Sequence, residues 1–187
     1  RENFTYTFLN YDKIESSTRI SPIFTSLIYF IDKFTNNTDL TRFILLNIIL
    51  LNQIFFYKSL KLSPFRSSFE KKSLLLISSS IYLSPSFRAN SIWPESAMLG
   101  LLFFIISLYF FLKFIKNQDI KYVLLNIFFL AIASYIRPSF CIFAIFFTYR
   151  FLLHYYNKEK FLRNFLLIIF SNIILSLPAF YYVFVLE

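Results

Sequence analysis

Apolar residues run in long blocks along this chain, and the polar positions between them are short and clustered. A helix that crosses a bilayer needs about 20 mostly apolar residues, with a range of about 17 to 25. Runs at 40–57, 73–83, 97–115, 122–136, 139–153 and 161–186 approach that length, so the pattern predicts an all-α, polytopic transmembrane helical bundle of five to six membrane segments. The run at 97–115 is the strongest, whereas 73–83 is short and carries Ser78, Ser79 and Ser80 in its middle. The last run is expected to bend at Pro178, because proline lacks the donor that its helix needs. The stretch 22–31 is too short to span and reads as an interfacial or re-entrant helix. With no internal repeat and no Gly/Ser linker, residues 1–39 form an external region with that short helix, and 40–187 form a single bundle.

Composition excludes the soluble alternatives. Of 187 residues, 57% are hydrophobic, 22% aromatic and only 16% charged, against about half and about a quarter for ordinary soluble domains. The single glycine, Gly100, rules out Gly-rich phosphate loops. The single cysteine, Cys141, rules out a disulfide framework and a Cys-based zinc site, and in its apolar run it is expected to be an inert buried thiol. The sequence opens at Arg1 without a signal-peptide pattern and stops at Glu187 directly after an apolar stretch, so it is expected to be a piece of a longer polytopic protein.

Charge then orients the segments, since short loops rich in Lys and Arg stay on the cytoplasmic side. Alternate loops hold Lys58, Lys61, Arg66, Lys71 and Lys72, then Lys113, Lys116 and Lys121, then Arg150, Lys158, Lys160 and Arg163. The loops between them hold only Arg88 and Arg137, a bias of twelve to two. Residues 1–41, of mixed charge, fall on the outer side. The net charge of +9 follows from this sorting, and no nucleic-acid partner is needed to explain it.

Arg88, Glu95 and Arg137 are therefore the informative charges, all expected near the outer face. An ionisable group at membrane depth costs a few kcal/mol unless it meets a partner or a water-filled cavity. One reading makes the three the lining of an outward-facing polar cavity. The other makes Arg137 a turn residue reaching to headgroups and Glu95 a first-turn acid favoured by the helix dipole after Pro94. His154 has no second ligand at metal spacing and reads as interfacial. Asn47, Asn52 and Gln53 are expected to hydrogen-bond to neighbouring helices. Asn3-Phe4-Thr5 and Asn36-Asn37-Thr38 match the glycosylation sequon.

The order of parts carries a resemblance. An external ISPIFTSLIYFI is followed by LTRFILLNIILL, a basic loop, YLSPSFRANSIWPESAMLGLLFFIISLYFF and ASYIRPSFCIFAIFF. This order resembles the integral-membrane glycosyltransferases of the GT-C superfamily, nearest to the dolichyl-phosphate-glucose type. The resemblance implies sugar transfer from a polyprenyl-phosphate carrier to an acceptor on the outer or lumenal face of a bacterial inner membrane or endoplasmic reticulum membrane. It implies inversion at the anomeric carbon and no cofactor. A carboxylate would deprotonate the acceptor hydroxyl and cations would hold the departing phosphate. In the family the acid lies early, often as an adjacent acidic pair. No such pair is present here, so Asp12 and Glu15 are the early acidic candidates, or the base lies upstream of Arg1. Glu95 matches a later acidic position as a second acid, and Arg88 and Arg137 are the expected substrate-binding cations, with Arg137 as the phosphate clamp. A transporter or lipid-linked sugar flippase, or a non-enzymatic assembly subunit, are the alternatives, the first expected to show two repeated halves.

Overall fold

A computed structural model describes residues 22–64, 70–85, 87–88, 96–156, 158 and 161–185. The described residues form seven α-helices and no strand. They are α1 (Pro22–Thr35), α2 (Thr38–Leu62), α3 (Lys71–Ser79), α4 (Ser96–Asn117), α5 (Ile120–Ile136), α6 (Ile142–Tyr155) and α7 (Phe161–Val185). Short 3-10 turns at Ser80–Leu83 and Pro138–Cys141 follow α3 and α5, and Cys141, expected to be buried, is exposed at the end of the second.

Among the described residues, three helical stretches, Thr38–Leu62, Ser96–Asn117 and Phe161–Pro178, are long and apolar enough to cross a membrane, which points to a membrane protein. The five to six apolar runs therefore do not translate one for one into spanning lengths. The run at 122–136 lies in α5, apolar and, at 17 residues, at the lower limit for a span, and that at 139–153 divides between a 3-10 turn and the 14-residue α6. The run at 73–83 becomes a 9-residue helix and a 3-10 turn. Pro178 lies inside α7, which continues to Val185.

Two tight connections have the same local logic. Asn36 ends α1 in the left-handed region (φ 48°) and Gln118 ends α4 likewise (φ 57°), which reverses the chain within two residues. The next residue in each case is an extended N-cap whose side chain satisfies an orphan helix donor. Asn37 Oδ1 accepts from the backbone N–H of Asp39 (2.9 Å) and Leu40 (3.3 Å), and Asp119 Oδ1 accepts from that of Lys121 (3.1 Å).

The antiparallel pair α4–α5 forms the centre. Ser107 faces Asn126, Phe103 stacks on Phe129 (6.2 Å) and Gly100 faces Ile136, so residues earlier in α4 meet residues later in α5. Helix α2 lies parallel to α4, with Phe55 edge-on to Tyr109 at 5.9 Å. On its other side α3 runs antiparallel to α2, as Gln53 donates to Ser79 Oγ (2.7 Å) and Tyr82 to the Leu50 carbonyl (3.3 Å). Helices α6 and α7 pack antiparallel, with Asn172 reaching Thr148 and Tyr156 against Phe161.

Two apolar clusters hold these helices together. One gathers Phe111 and Phe114 of α4, Val123 and Ile127 of α5, Phe147 and Phe151 of α6 and Ile168 of α7. The other joins Phe24 of α1 to Leu99, Leu102 and Ile106 of α4 and Ile136 of α5, so α1 is seated on the bundle. Helix α7 exposes Leu162, Leu166, Phe170, Ile173 and Leu177. Exposed apolar area on that scale suits contact with hydrocarbon and not with water.

This arrangement sorts the charges along the bundle axis. The α4–α5 turn, the end of α6, the start of α7, the end of α2 and the start of α3 share one end. They bring Lys58, Lys61, Lys71, Lys72, Lys113, Lys116, Lys121, Arg150, Lys158 and Arg163 there. The start of α4, the α1–α2 turn and the Arg137 turn share the other.

Candidate functional site

Arg137 occupies the turn between α5 and the 3-10 segment Pro138–Cys141. Its backbone is extended (φ −141°, ψ 105°) because the following proline disfavours the helical region there. Both of its backbone groups are engaged: the N–H donates to the Ala133 carbonyl (2.8 Å) and the carbonyl accepts from Phe140 (3.1 Å). The Arg137 side chain is exposed and makes no hydrogen bond or ion pair with any described residue. A pinned backbone thus carries an uncommitted guanidinium.

The first turns of α4 press directly on this turn. A Cβ placed on Gly100 would lie 3.2 Å from Phe140 Cε2, 3.4 Å from Arg137 Cβ and 3.5 Å from Ile136 Cγ2. Phe140 also stacks on Phe104 of α4, with centroids 4.9 Å apart. Gly100 therefore allows α4 to approach the Arg137 turn closely, as small residues do between membrane helices.

The other sequence-derived candidates fare differently. Arg88 is described and exposed, with its backbone N–H on the Ser84 carbonyl (3.1 Å). Its neighbour Phe87 packs on Tyr82 (5.6 Å), which ties this segment to α2 and α3, whereas Arg137 belongs to α4 and α5. Asp12, Glu15 and Glu95 lie outside the described residues, although Glu95 directly precedes α4 in the chain. Of the three α2 amides, Gln53 bonds to a neighbouring helix, as does the Thr41 hydroxyl, 2.7 Å from that of Thr35 on α1. Asn47 and Asn52 instead donate to their own helix, at the Phe43 (2.7 Å) and Ile49 (2.8 Å) carbonyls.

Sequence reasoning missed two polar groups. Asn126 of α5, fully buried, donates to both the carbonyl (2.9 Å) and Oγ (2.8 Å) of Ser107 on α4, stitching the central pair together. The second group lies at the basic end, where Lys158 Nζ sits 2.6 Å from His154 Nε2 and 3.0 Å from Gln118 Oε1. His154 is held below its ordinary pKa, first by burial and second by the Lys158 charge. Its imidazole is the neutral acceptor of this pair. Asp119 is held below the usual carboxylate range by the Lys121 backbone N–H and then by the Lys121 ammonium, 3.1 Å away.

Two surface cavities lie toward this basic end. One of about 230 Å³ is lined by Tyr149, Leu152, Tyr156 and Phe161 among others and is apolar. The second, about 260 Å³, is lined by Phe111, Phe114 and Ile115 of α4 with the adjoining Gln118, and by Arg150 and His154 of α6.

No family model, curated protein or solved structure matches this chain.

Proposed function

We propose that the chain belongs to a multi-pass membrane glycosyltransferase that moves a sugar from a polyprenyl-phosphate carrier to an acceptor hydroxyl on the outer or lumenal face. The observation that carries the reading is the Arg137 turn: an exposed, uncommitted guanidinium on a backbone pinned at both sides, seated against the start of α4. The clustering of basic residues at the opposite end supports the orientation, because that end would then be cytoplasmic. In this reading the bundle crosses the bilayer five to six times, with α5 and α6 as its shorter segments.

In the reaction the acceptor oxygen attacks the anomeric carbon from the face opposite the phosphate. The bond from that carbon to the phosphate oxygen breaks with inversion, and the electron pair leaves on the phosphate. Arg137 offers a planar fork to two phosphate oxygens as their charge grows, with Arg88 as a second cation. The acceptor proton passes to a carboxylate, for which Glu95, next to α4, and the early Asp12 and Glu15 are the candidates.

Donor turnover by the intact protein in proteoliposomes tests this. Arg137→Ala should slow transfer by about a hundredfold to a thousandfold, the usual effect of removing one stabiliser of transition-state charge, and Arg137→Lys should recover only part. Lys116→Ala, at the opposite end, should be unaffected. Turnover by Arg137→Ala equal to that of the wild type would remove Arg137 from the reaction.

A further inference from the structure

We infer that the cavity between α4 and α6 at the basic end is a binding site for one anionic phospholipid, with the phosphate between Arg150 and Lys158 and an acyl chain along Phe111. This site is independent of the transfer reaction proposed for the other end.

The groove follows from the backbone. Gln118 ends α4 in the left-handed region, which turns the chain sharply away toward α5 beside the last turn of α6. Arg150 and His154, four residues apart, project from one face of α6 into the resulting cavity of about 260 Å³. Lys158 lies one further step of four along the chain and is fixed by its contacts with His154 Nε2 (2.6 Å) and Gln118 Oε1 (3.0 Å).

Counting donors shows what is left for a ligand. An ammonium has three N–H groups, and two are spent on His154 and Gln118, so the third remains. Arg150 is exposed and bonds to no described residue, leaving its whole fork available. Neutral His154, accepting at Nε2, carries its proton at Nδ1 as a further donor. The nearby carboxylate, Asp119, is paired with Lys121 at 3.1 Å. Arg150 and His154 thus offer donors within the lining, and Lys158, which does not itself line the cavity, adds a second positive charge beside it through its contacts with His154 and Gln118.

The rest of the lining is hydrocarbon. Phe111 and Phe114 are buried, Ile115 is exposed, and the ring of the exposed Phe146 continues from Phe111 at 6.0 Å. A free phosphate would leave this track unused, and a zwitterionic headgroup would bring its own cation toward Arg150 and Lys158. A phospholipid with net negative charge satisfies both sides, as expected of basic pockets between membrane helices.

The test uses the intact protein in a zwitterionic detergent, with bound lipid read by native mass spectrometry during titration with phosphatidylglycerol or phosphatidylcholine. Phosphatidylglycerol should be retained at about tenfold lower concentration than phosphatidylcholine. Arg150→Gln and Lys158→Ala should each weaken that retention about fivefold to tenfold, as loss of one cation near a headgroup does, while Lys61→Ala on α2 should not. Arg150→Gln changes an exposed side chain, so its thermal unfolding without lipid should match the wild type. Equal retention of the two lipids, or retention unchanged in both variants, would overturn the inference. Displacement of phosphatidylglycerol by an equal concentration of inorganic phosphate would overturn it too, since the site would then recognise the anion alone.

Discussion

His154 and Lys158 meet nitrogen to nitrogen at 2.6 Å, a contact that exists only while the imidazole is neutral. Folding therefore lowers the affinity of His154 for a proton, by burial first and by Lys158 second, whereas the unfolded chain takes that proton at about pH 6.5. Because the unfolded state binds more protons in this window, stability is present above the ordinary histidine pKa and declines as pH falls through it. Thermal unfolding followed from about pH 8 to about pH 5 should show this decline in the wild type and a smaller one in His154→Gln. Coincident pH profiles for the two proteins would contradict the coupling. The lone histidine is plain in the sequence, but its partner is not. The step of four from 150 to 154 to 158 is written in the sequence, yet only the left-handed turn at Gln118 brings a third residue from another helix to meet it. The Asn126–Ser107 pair was hidden for a related reason. Each residue lies inside an apolar run, and their pairing depends on the antiparallel register of two helices.

Helix α4 owes its place at the centre of the bundle to the close approach that Gly100 permits at one end and to the aromatic layer of Phe111 and Phe114 at the other. Adding a methyl group at Gly100 sets two effects against each other. Alanine improves helix propensity by about 1 kcal/mol, while its Cβ, 3.2 Å from Phe140, asks that ring to give by a few tenths of an ångström. Gly100→Ala is therefore expected to be near neutral in thermal unfolding. Gly100→Leu has no such balance: the larger side chain must displace the stacked Phe140 and the Arg137 turn, at a cost of about 1 to 3 kcal/mol. Under the proposed function it should also reduce sugar transfer toward the Arg137→Ala level. Unchanged stability in Gly100→Leu would show that α4 and the turn are not in tight contact. At this scale the long helices were legible, because run length and hydropathy are enough to specify α2, α4 and α7. The shorter runs were not. Apolar content at 73–83 and 139–153 says nothing of where a helix tightens to 3-10, as it does at Ser80–Leu83 and at Pro138–Cys141, the second opened by the rigid φ of Pro138.

The whole molecule is polarised along its axis. Parallel α2 and α4, with α3 and α5 running back beside them, bring basic residues from distant parts of the sequence to one end and leave the Arg137 turn at the other. The loop charges foretold an alternation, while the order of packing, with α4–α5 at the centre and α1 seated on it, depends on side-chain shape and was not legible. The functional account rests on this polarity: a clamp for a carrier phosphate on the outer face requires the Arg137 turn to be outside and the Asp119 turn inside. The most direct measurement is labelling with a membrane-impermeant maleimide in sealed cells, using Ser139→Cys and Lys116→Cys, each in a Cys141→Ser background. Ser139 is exposed in the Arg137 turn and Lys116 is exposed at the other end of α4. The account predicts that Ser139→Cys labels in intact cells and that Lys116→Cys labels only after permeabilisation. Labelling of Lys116→Cys from outside, with Ser139→Cys protected until the membrane is opened, would contradict it.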